Sequence, residues 1–444
     1  MSLAKVTKGC CLTCINACGV LIHVDHDKIV KVEGNPQHPF SRGFLCPKGL
    51  ALKQIVYHPE RLKYPLKRAG ERGEGKWKRI SWEEALEEIA TKLAEAKHHW
   101  GSESVVFAGG FNAVASLSQN LGMFLHLFGS PNRLVNVHVC AMPAHMAGIY
   151  TTGFTIMSAD FLNSRCILLW GLNPESAWRS QLQEIMEARD KGAKLIVVDP
   201  RLTSLASRAD VWLQVRPGTD CALALGMLHI IINERLYEEE FVERWTVGFD
   251  QLCQQVQFYP PQRVEEITWV PATKLIEAAR LYARSKPASL APGAAGMCQS
   301  INAFQANRAL AILAAVTGNL DVPGGNVHYL APLRRRSAMA GEMDASFGKL
   351  APEQLQRRLG SEDFRIISHA GLIFAHPAAV WQAILESKPY PVKAVLGLGG
   401  NPVVSFENSA EVRKALLSLE FFASASLFMN PTTELADIVL PAAH

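Results

Sequence analysis

Five cysteines fall within the first 46 residues: Cys10, Cys11, Cys14 and Cys18 in the run CCLTCINAC, and Cys46 in FLCPKG. Counted from Cys11 the spacing is C-x2-C-x3-C-x27-C, a four-ligand set that is complete without Cys10. Four soft thiolates with no histidine among them suit zinc or a cubane iron–sulfur cluster. Zinc ribbons pair two symmetric C-x2-C knuckles, and the second knuckle is missing here, so the spacing favours a [4Fe-4S] cluster on Cys11, Cys14, Cys18 and Cys46. Lys48, two residues beyond the last ligand, is either a surface charge or a link from the cluster to a second cofactor. Cys140, Cys166, Cys221, Cys253 and Cys298 stand singly, and a lone cysteine is ordinarily a small buried hydrophobe.

A second kind of chemistry is written in the pattern of strands and loops. The strand CILLW (166–170), the turn GLNPES, a helix across 177–191 with Gly192 after it, and the strand KLIVVD form one βαβ unit. Glycine and asparagine between a strand end and a helix start are where such sheets hold nucleotide phosphates. Asp199, closing the next strand, is placed to accept hydrogen bonds from a ribose or base. The unit is then echoed: WGLNPES (170–176) by LGGNPVVS (398–405), and DPRLTSLASRADVWL (199–213) by NPTTELADIVLP (430–441). Gly171 to Asp210 is 39 residues and Gly399 to Asp437 is 38, so the repeat holds its interval. Two related half-domains imply two related nucleotide sites. Asp199 has no acidic counterpart in the second copy, which offers Met429 and Asn430 instead.

The remaining chain must position these parts. With 444 residues, 48% of them hydrophobic, it is long enough for two or three packed cores. Forty-five basic against forty-one acidic residues gives no reason to invoke nucleic acid, and the basic cluster LRRRS at 333–337 reads as a solvated or phosphate-facing loop. No apolar run reaches the ~18 residues of a membrane span and no signal region opens the chain, which points to the cytoplasm. In a reducing compartment a cysteine cluster reads as metal-binding before it reads as disulfides. ISWEEALEEIATKLAEAK (80–97) carries a helical stripe of Trp82, Ala85, Leu86, Ile89 and Leu93 behind a Ser81–Glu84 capping box, and SVVFAGG (104–110) reads as a strand ending in glycines.

The cluster motif, HPERLKYPLKR, RISWEEALEEIA, WGLNP, DPR, RPGTD, VTGNLDVPGG and LADIVLP together resemble the molybdopterin oxidoreductases of the dimethyl sulfoxide reductase type, over essentially the whole chain. The resemblance implies an α/β fold: a small iron–sulfur domain (1–61), then two related doubly wound dinucleotide-binding domains. One is discontinuous (62–135 with 331–444) and holds the second dinucleotide unit; the other (136–330) holds the first unit and the metal-ligand loop. It implies molybdenum or tungsten held by bis-molybdopterin guanine dinucleotide. Gly171, Asn173, Pro174, Asp199, Arg201 and Asp220 would serve one dinucleotide, and Gly399, Asn401 and Pro402 the other. Lys48 would link cluster to pterin. Cys140 in NVHVCAMPAHMAG would be the protein's ligand to the metal, and of His138 and His145 beside it, His145 is the candidate for the substrate pocket.

The function so implied is two-electron chemistry on a small substrate, with electrons leaving through the cluster to a protein partner or subunit. In layout the chain resembles cytoplasmic formate dehydrogenase and acetylene hydratase. The first has a histidine after the metal-ligating residue, where this chain has Ala141. The second has its catalytic aspartate after the second cluster cysteine, where this chain has Ile15. A non-redox hydratase and a metal-free structural or electron-transfer subunit are the alternatives. Relatives of this kind continue into a further domain that closes over the dinucleotides, so a separate polypeptide supplying it is a further expected partner.

The cluster assignment separates two neighbouring cysteines. Cys10→Ser should keep the iron of one [4Fe-4S] cluster per chain, whereas Cys46→Ser should lose most of it, as read by iron and sulfide analysis of anaerobically purified protein.

Overall fold

The computed structural model describes residues 5–14, 16–110, 124–154, 157–328, 350–366 and 374–443; Ile15 and the basic run at 333–337 lie outside them. The chain divides into two units, Met1–Asn136 with Leu333–His444, and Val137–Pro332.

The first unit opens with an antiparallel meander of β1 (Lys5–Cys10), β2 (Gly19–Asp25) and β3 (Lys28–Gly34). His26 and Asp27 both take positive φ, the two-residue turn whose twist matches the flanking strands. Cys11, Cys18, Val20, Val32, Leu45 and Leu52 form its small core. The chain then runs through β4 (Leu66–Arg68), β5 (Trp77–Arg79) and the helix Trp82–Trp100 to β6 (Val105–Gly109) and β7 (Arg133–Leu134). The capping box forms as expected: Glu84 N–H donates to Ser81 Oγ at 3.1 Å and Ser81 N–H to Glu84 Oε2 at 2.9 Å. The buried stripe is Ala85, Ile89, Leu93 and Ala96, while Trp82 and Leu86, expected in it, stand in solvent. Ile89 and Leu93 fix the helix face, and the two larger side chains lie off its axis.

In the second unit, β8 (Met157–Ala159) pairs with β13 (Asn326–His328) as a small ribbon. The main sheet contains β9 (Cys166–Trp170), β10 (Lys194–Val198), β11 (Val211–Leu213) and β12 (Ala288–Pro292), parallel throughout in the order β11-β10-β9-β12. Its strands are apolar on both sides because helices cover both faces. Cys166, Leu168 and Trp170 pack with Leu223, Met227 and Leu313 on one face, and Ile167 and Leu169 with Ile185 and Ala188 on the other.

The chain then returns to the first unit as β14 (Ala394–Leu398), β15 (Phe421–Ser426) and β16 (Ile438–Pro441), completing a seven-stranded sheet in the order β5-β4-β16-β15-β14-β6-β7. Here β16, β15, β14, β6 and β7 are parallel, and β4, paired antiparallel with both β16 and the edge strand β5, extends the sheet. This is the mixed α/β architecture expected. Among the described residues no helix is long and apolar enough to cross a membrane.

The two parallel sheets superpose strand for strand in register. Trp170 pairs with Val198 and Pro292 in the second unit as Leu398 pairs with Ala425 and Gly109 in the first; Val198 then pairs with Leu213 as Ala425 pairs with Leu440. Chain order differs, since β12 follows its three partners and β6 precedes its own. The register also corrects one reading of the repeat. The residue after β10 is Asp199 and the equivalent after Ala425 is Ser426, so Met429 and Asn430 do not stand opposite Asp199. Asn430 instead does the work of Thr203: each accepts, through its side chain, a backbone N–H three residues on.

Asp210 and Asp437 occupy one position in the repeat and make the same bonds. Leu195 N–H donates to Asp210 Oδ2 at 2.8 Å, and Phe422 N–H to Asp437 Oδ2 at 2.8 Å. Each carboxylate then pairs with two cations: Asp210 with Arg189 and Lys194, Asp437 with Arg68 and Arg72. The Asp437 side chain is only 13% exposed, and Arg72 also donates to the Leu416 and Leu419 carbonyls at 2.8 Å. Asp437→Asn should therefore destabilise the chain by about 3 kcal/mol, because it leaves two half-buried guanidinium groups without their anion. Asp210 is more open and its loss should cost less, as compared by denaturant melts. Burial pushes the Asp210 carboxyl up, but the Leu195 N–H, Lys194 and Arg189 together hold it below its ordinary value. Its contribution is thus present above the unfolded carboxyl pKa and fades as pH falls through the lower folded one, so Asp210→Asn should flatten the acid limb of the stability profile.

Candidate functional site

The four cluster cysteines come together at one end of the small meander. Cys11 N–H donates to the Cys18 carbonyl at 2.8 Å, closing the loop that carries Cys14, and Ala17 within it takes positive φ. Cys46 sits immediately before the short helix Pro47–Leu50. Burial raises the Cys18 thiol, and Cys14, Cys11 and Cys46 each raise it further, so the four sulfurs share one neighbourhood. Among the described residues no three His, Cys, Asp or Glu side chains crowd closely enough to hold a single ion. Two half-buried and two buried thiols that feel one another's charge are soft donors of the kind a cubane cluster takes. Cys10 is exposed at the end of β1. Lys48 is exposed, two residues beyond Cys46.

The carboxyl edge of the second unit's sheet gathers the first set of dinucleotide candidates. Gly171 leaves β9 with φ +60°, and Asn173 then builds the turn: its Oδ1 accepts Glu175 N–H at 3.2 Å and its carbonyl accepts Ser176 and Ala177 N–H at 3.1 Å. Pro174 is buried in that turn. Asp199 is 6% exposed and its Oδ1 accepts Arg201 N–H at 2.8 Å, while the Arg201 guanidinium reaches into solvent. Asp220 starts the helix Asp220–Asn233 and accepts the indole N–H of Trp170 at 2.8 Å. Burial raises its carboxyl despite that bond.

The corresponding edge of the first unit opens into a cavity of about 230 Å³. It is lined by Gly109 at the end of β6, Gly110, and Gly399, Gly400 and Asn401 after β14, together with Thr432, Leu134, Trp381, Phe406 and Phe422. Thr432 Oγ1 donates to Asn401 Oδ1 at 2.7 Å and accepts Val403 N–H at 3.0 Å, so Asn401 is held in place before Pro402 begins its turn of helix. A glycine-lined hollow between two diverging strand ends is the cradle that the phosphates of a nucleotide need.

Sequence reasoning missed half of each cradle. Across from Gly171 stands Gly293, the residue after β12, whose N–H donates to the Trp170 carbonyl at 2.8 Å. A Cβ there would lie 2.0 Å from the Gly171 carbonyl oxygen. Gly110 repeats this in the first unit, donating to the Leu398 carbonyl at 3.0 Å, and its Cβ would lie 2.2 Å from the Gly399 oxygen. The signal available for Gly293 was a Pro-Gly pair closing an apolar run.

Cys140 lies in the second unit, one residue before the N-cap of the helix Met142–Thr152. It is half-buried; burial pushes its thiol up, and the Ala141 N–H at its sulfur works the other way. His145 is on the first turns of the same helix, and burial lowers its pKa, which keeps the ring neutral. Cys166 is fully buried in β9 and its thiol is pushed up to about 12, as a core residue.

Comparison with known proteins agrees with these parts. The Molybdopterin oxidoreductase Fe4S4 domain family matches residues 4–58, and the Molybdopterin oxidoreductase family matches residues 61–444. Acetylene hydratase of Syntrophotalea acetylenica is 34% identical over 98% of this chain and 62% of its own length. The thiosulfate reductase molybdopterin-containing subunit PhsA of Salmonella typhimurium is 30% identical over 98% of the chain and 58% of its own. A formate dehydrogenase subunit alpha of Methanocaldococcus jannaschii is 31% identical over 99% and 64%. The solved acetylene hydratase from Pelobacter acetylenicus superposes with a TM-score of 0.89 at 34% identity, covering 98% of this chain and 63% of that one. The chain thus spans about six-tenths of the length of the relatives it matches. With both families matched in turn along the chain, it belongs to the molybdopterin oxidoreductases, a family built on a [4Fe-4S] cluster and a molybdenum or tungsten bis-molybdopterin cofactor.

Proposed function

We propose that this chain carries the cofactor-binding part of a cytoplasmic molybdenum- or tungsten-dependent oxidoreductase. It acts on a small substrate by two-electron chemistry and hands the electrons, through the N-terminal cluster, to an external protein or subunit. The observation that carries the reading is the pair of close-set glycine crossings at equivalent strand ends, one in each unit, with a cysteine-headed helix in the second unit. A metal-free scaffold would need neither the cradles nor Cys140.

When bound, the cofactor supplies a soft metal that exchanges two electrons with the substrate. The chain's own residues bind, orient and insulate it. Cys11, Cys14, Cys18 and Cys46 hold the cluster. Gly171, Asn173, Pro174, Asp199, Arg201 and Asp220 hold one dinucleotide, and Gly399, Asn401 and Pro402 the other; main-chain N–H groups meet phosphate where a side chain would intrude. Lys48 would link the cluster to the pterin. Cys140 gives the metal its protein thiolate, a donor that stabilises the oxidised state. Metal binding favours the thiolate, against the burial that raises this thiol in its absence. His145 lines the substrate pocket as a neutral donor or acceptor.

The likeness to acetylene hydratase favours a second reading, hydration without net redox change. Two measurements on anaerobically purified protein distinguish the possibilities. Molybdenum or tungsten should be present, and a small substrate should drive reduction of a dye acceptor. Product without dye reduction would select the hydratase, and iron without either metal would select the scaffold. Cys140→Ala should abolish turnover, leave the iron content intact and remove one sulfur from the metal's X-ray absorption shell; an unchanged shell would exclude Cys140 as the ligand.

A further inference from the structure

Asp199 keeps one carboxylate oxygen spare. The residue is 6% exposed, its Oδ1 accepts the Arg201 N–H at 2.8 Å, and among the described residues no hydrogen bond reaches Oδ2. An acceptor left open in so enclosed a residue is placed for a donor that a ligand brings. Three further bonds fix the main chain behind it. Asp199 N–H donates to the Leu213 carbonyl at 3.2 Å, the Trp212 indole N–H donates to the Asp199 carbonyl at 2.9 Å, and the Gln214 side-chain amide donates to the Pro200 carbonyl at 3.2 Å. Trp212 and Gln214 are two residues apart on β11 and its continuation, so both reach to the same side. The Trp212 ring packs against the cluster of Ile167, Leu169 and Ile185, which holds its N–H in place.

The first unit serves the same position by other means. Strand register sets Ser426 where the second unit has Asp199, Val439 where it has Trp212, and Pro441 where it has Gln214. Neither valine nor proline has a side-chain donor. The Ser426 carbonyl takes the backbone N–H of Ala442 instead, at 3.0 Å, because the pairing of β15 with β16 runs on to Ser426 and Pro441. In the second unit the pairing of β10 with β11 stops one pair earlier, at Val198 and Leu213, and Pro200 turns the chain away. The indole takes up the carbonyl that strand pairing no longer serves.

We infer that Trp212, with Gln214, is a positioning residue for Asp199: the two side chains latch the Asp199–Pro200 turn and hold the carboxylate ready for its nucleotide, so that the second unit's site reads its ligand through a fixed anion that the first unit's site does not have. The inference rests on the reading of Asp199 as a nucleotide acceptor. A carboxylate already held in its bound direction loses less freedom when the ligand arrives. The two sites are thus related in fold and unlike in chemistry, and the difference lies in three matched positions, Asp199, Trp212 and Gln214 against Ser426, Val439 and Pro441.

The test is hydrogen–deuterium exchange on the full chain as purified, with the guanine nucleotide retained after dialysis measured on the same samples. Trp212→Phe keeps a packed ring and removes the donor. It should speed exchange at the Arg201 amide about tenfold, the order that one net hydrogen bond is worth, and leave the Thr432 amide of the first unit unchanged. It should also release one dinucleotide about tenfold faster while the other stays. Asp199→Asn should release that same dinucleotide, and the double variant should release it no faster than Asp199→Asn alone, because Trp212 acts through that side chain; a merely structural role would add to the loss. Unchanged exchange at Arg201 in Trp212→Phe, or additive release in the double variant, would overturn the inference. If Trp212→Phe does not fold, Gln214→Ala on the exposed side of the latch should speed the same Arg201 exchange by a smaller factor, and no change there overturns the inference. Failure of the underlying reading is seen separately, as full retention of both dinucleotides in Asp199→Asn.

Discussion

Each parallel sheet ends on two backbones that touch with no side chain between them. At the ends of β6 and β14, and again at β12 and β9, one strand's last carbonyl accepts an N–H from the glycine that follows its neighbour. A Cβ on either glycine would stand within 2.2 Å of a carbonyl oxygen, where no side chain fits. Only glycine lets the strands stay in register to their tips and then part abruptly, one loop turning each way. The hollow beside these tips in the first unit is bounded by that close-set backbone on one side and by residues such as Leu134, Trp381, Phe406 and Phe422 on the others.

The cradles would not keep their shape if the third strand of each sheet could slide. Asp210 and Asp437 prevent that. Each stands just before its strand and accepts a backbone N–H from the neighbouring strand, which is itself next to the cradle strand, so the carboxylate acts as a pin between strands as well as a charge. The cations that neutralise it come from the preceding helix and strand in one unit and from the β4 region in the other. The same geometric requirement has thus been met with different chain segments.

What was legible in the sequence follows from this. The Gly-x-Asn-Pro turns, the apolar strands and the two aspartates lie at nearly equal intervals within each copy, so a single sequence exposes them. Gly110 and Gly293 do not, because one precedes its copy and the other follows it, and no fixed interval links them. The misplaced echo of Asp199 with Asn430 arose because Asp-Pro and Asn-Pro look alike, whereas strand pairing sets Ser426 opposite Asp199. Trp82 and Leu86 were misjudged since periodicity reports a helical face but not how wide a face the sheet covers.

The reversed order of β6 and β12 has a consequence in time. Every strand of the second unit's sheet lies between residues 166 and 292, so that sheet can close as soon as this stretch has left the ribosome. The first unit's cradle needs β6 to meet β14, about 290 residues later, a wait of roughly fifteen to sixty seconds at ordinary rates of synthesis. During that interval β6 presents an apolar edge with no neighbour on the β14 side. The nascent chain must therefore own one finished parallel sheet while the other is still two separated pieces, and the order in which the halves are completed is set by the path of the chain.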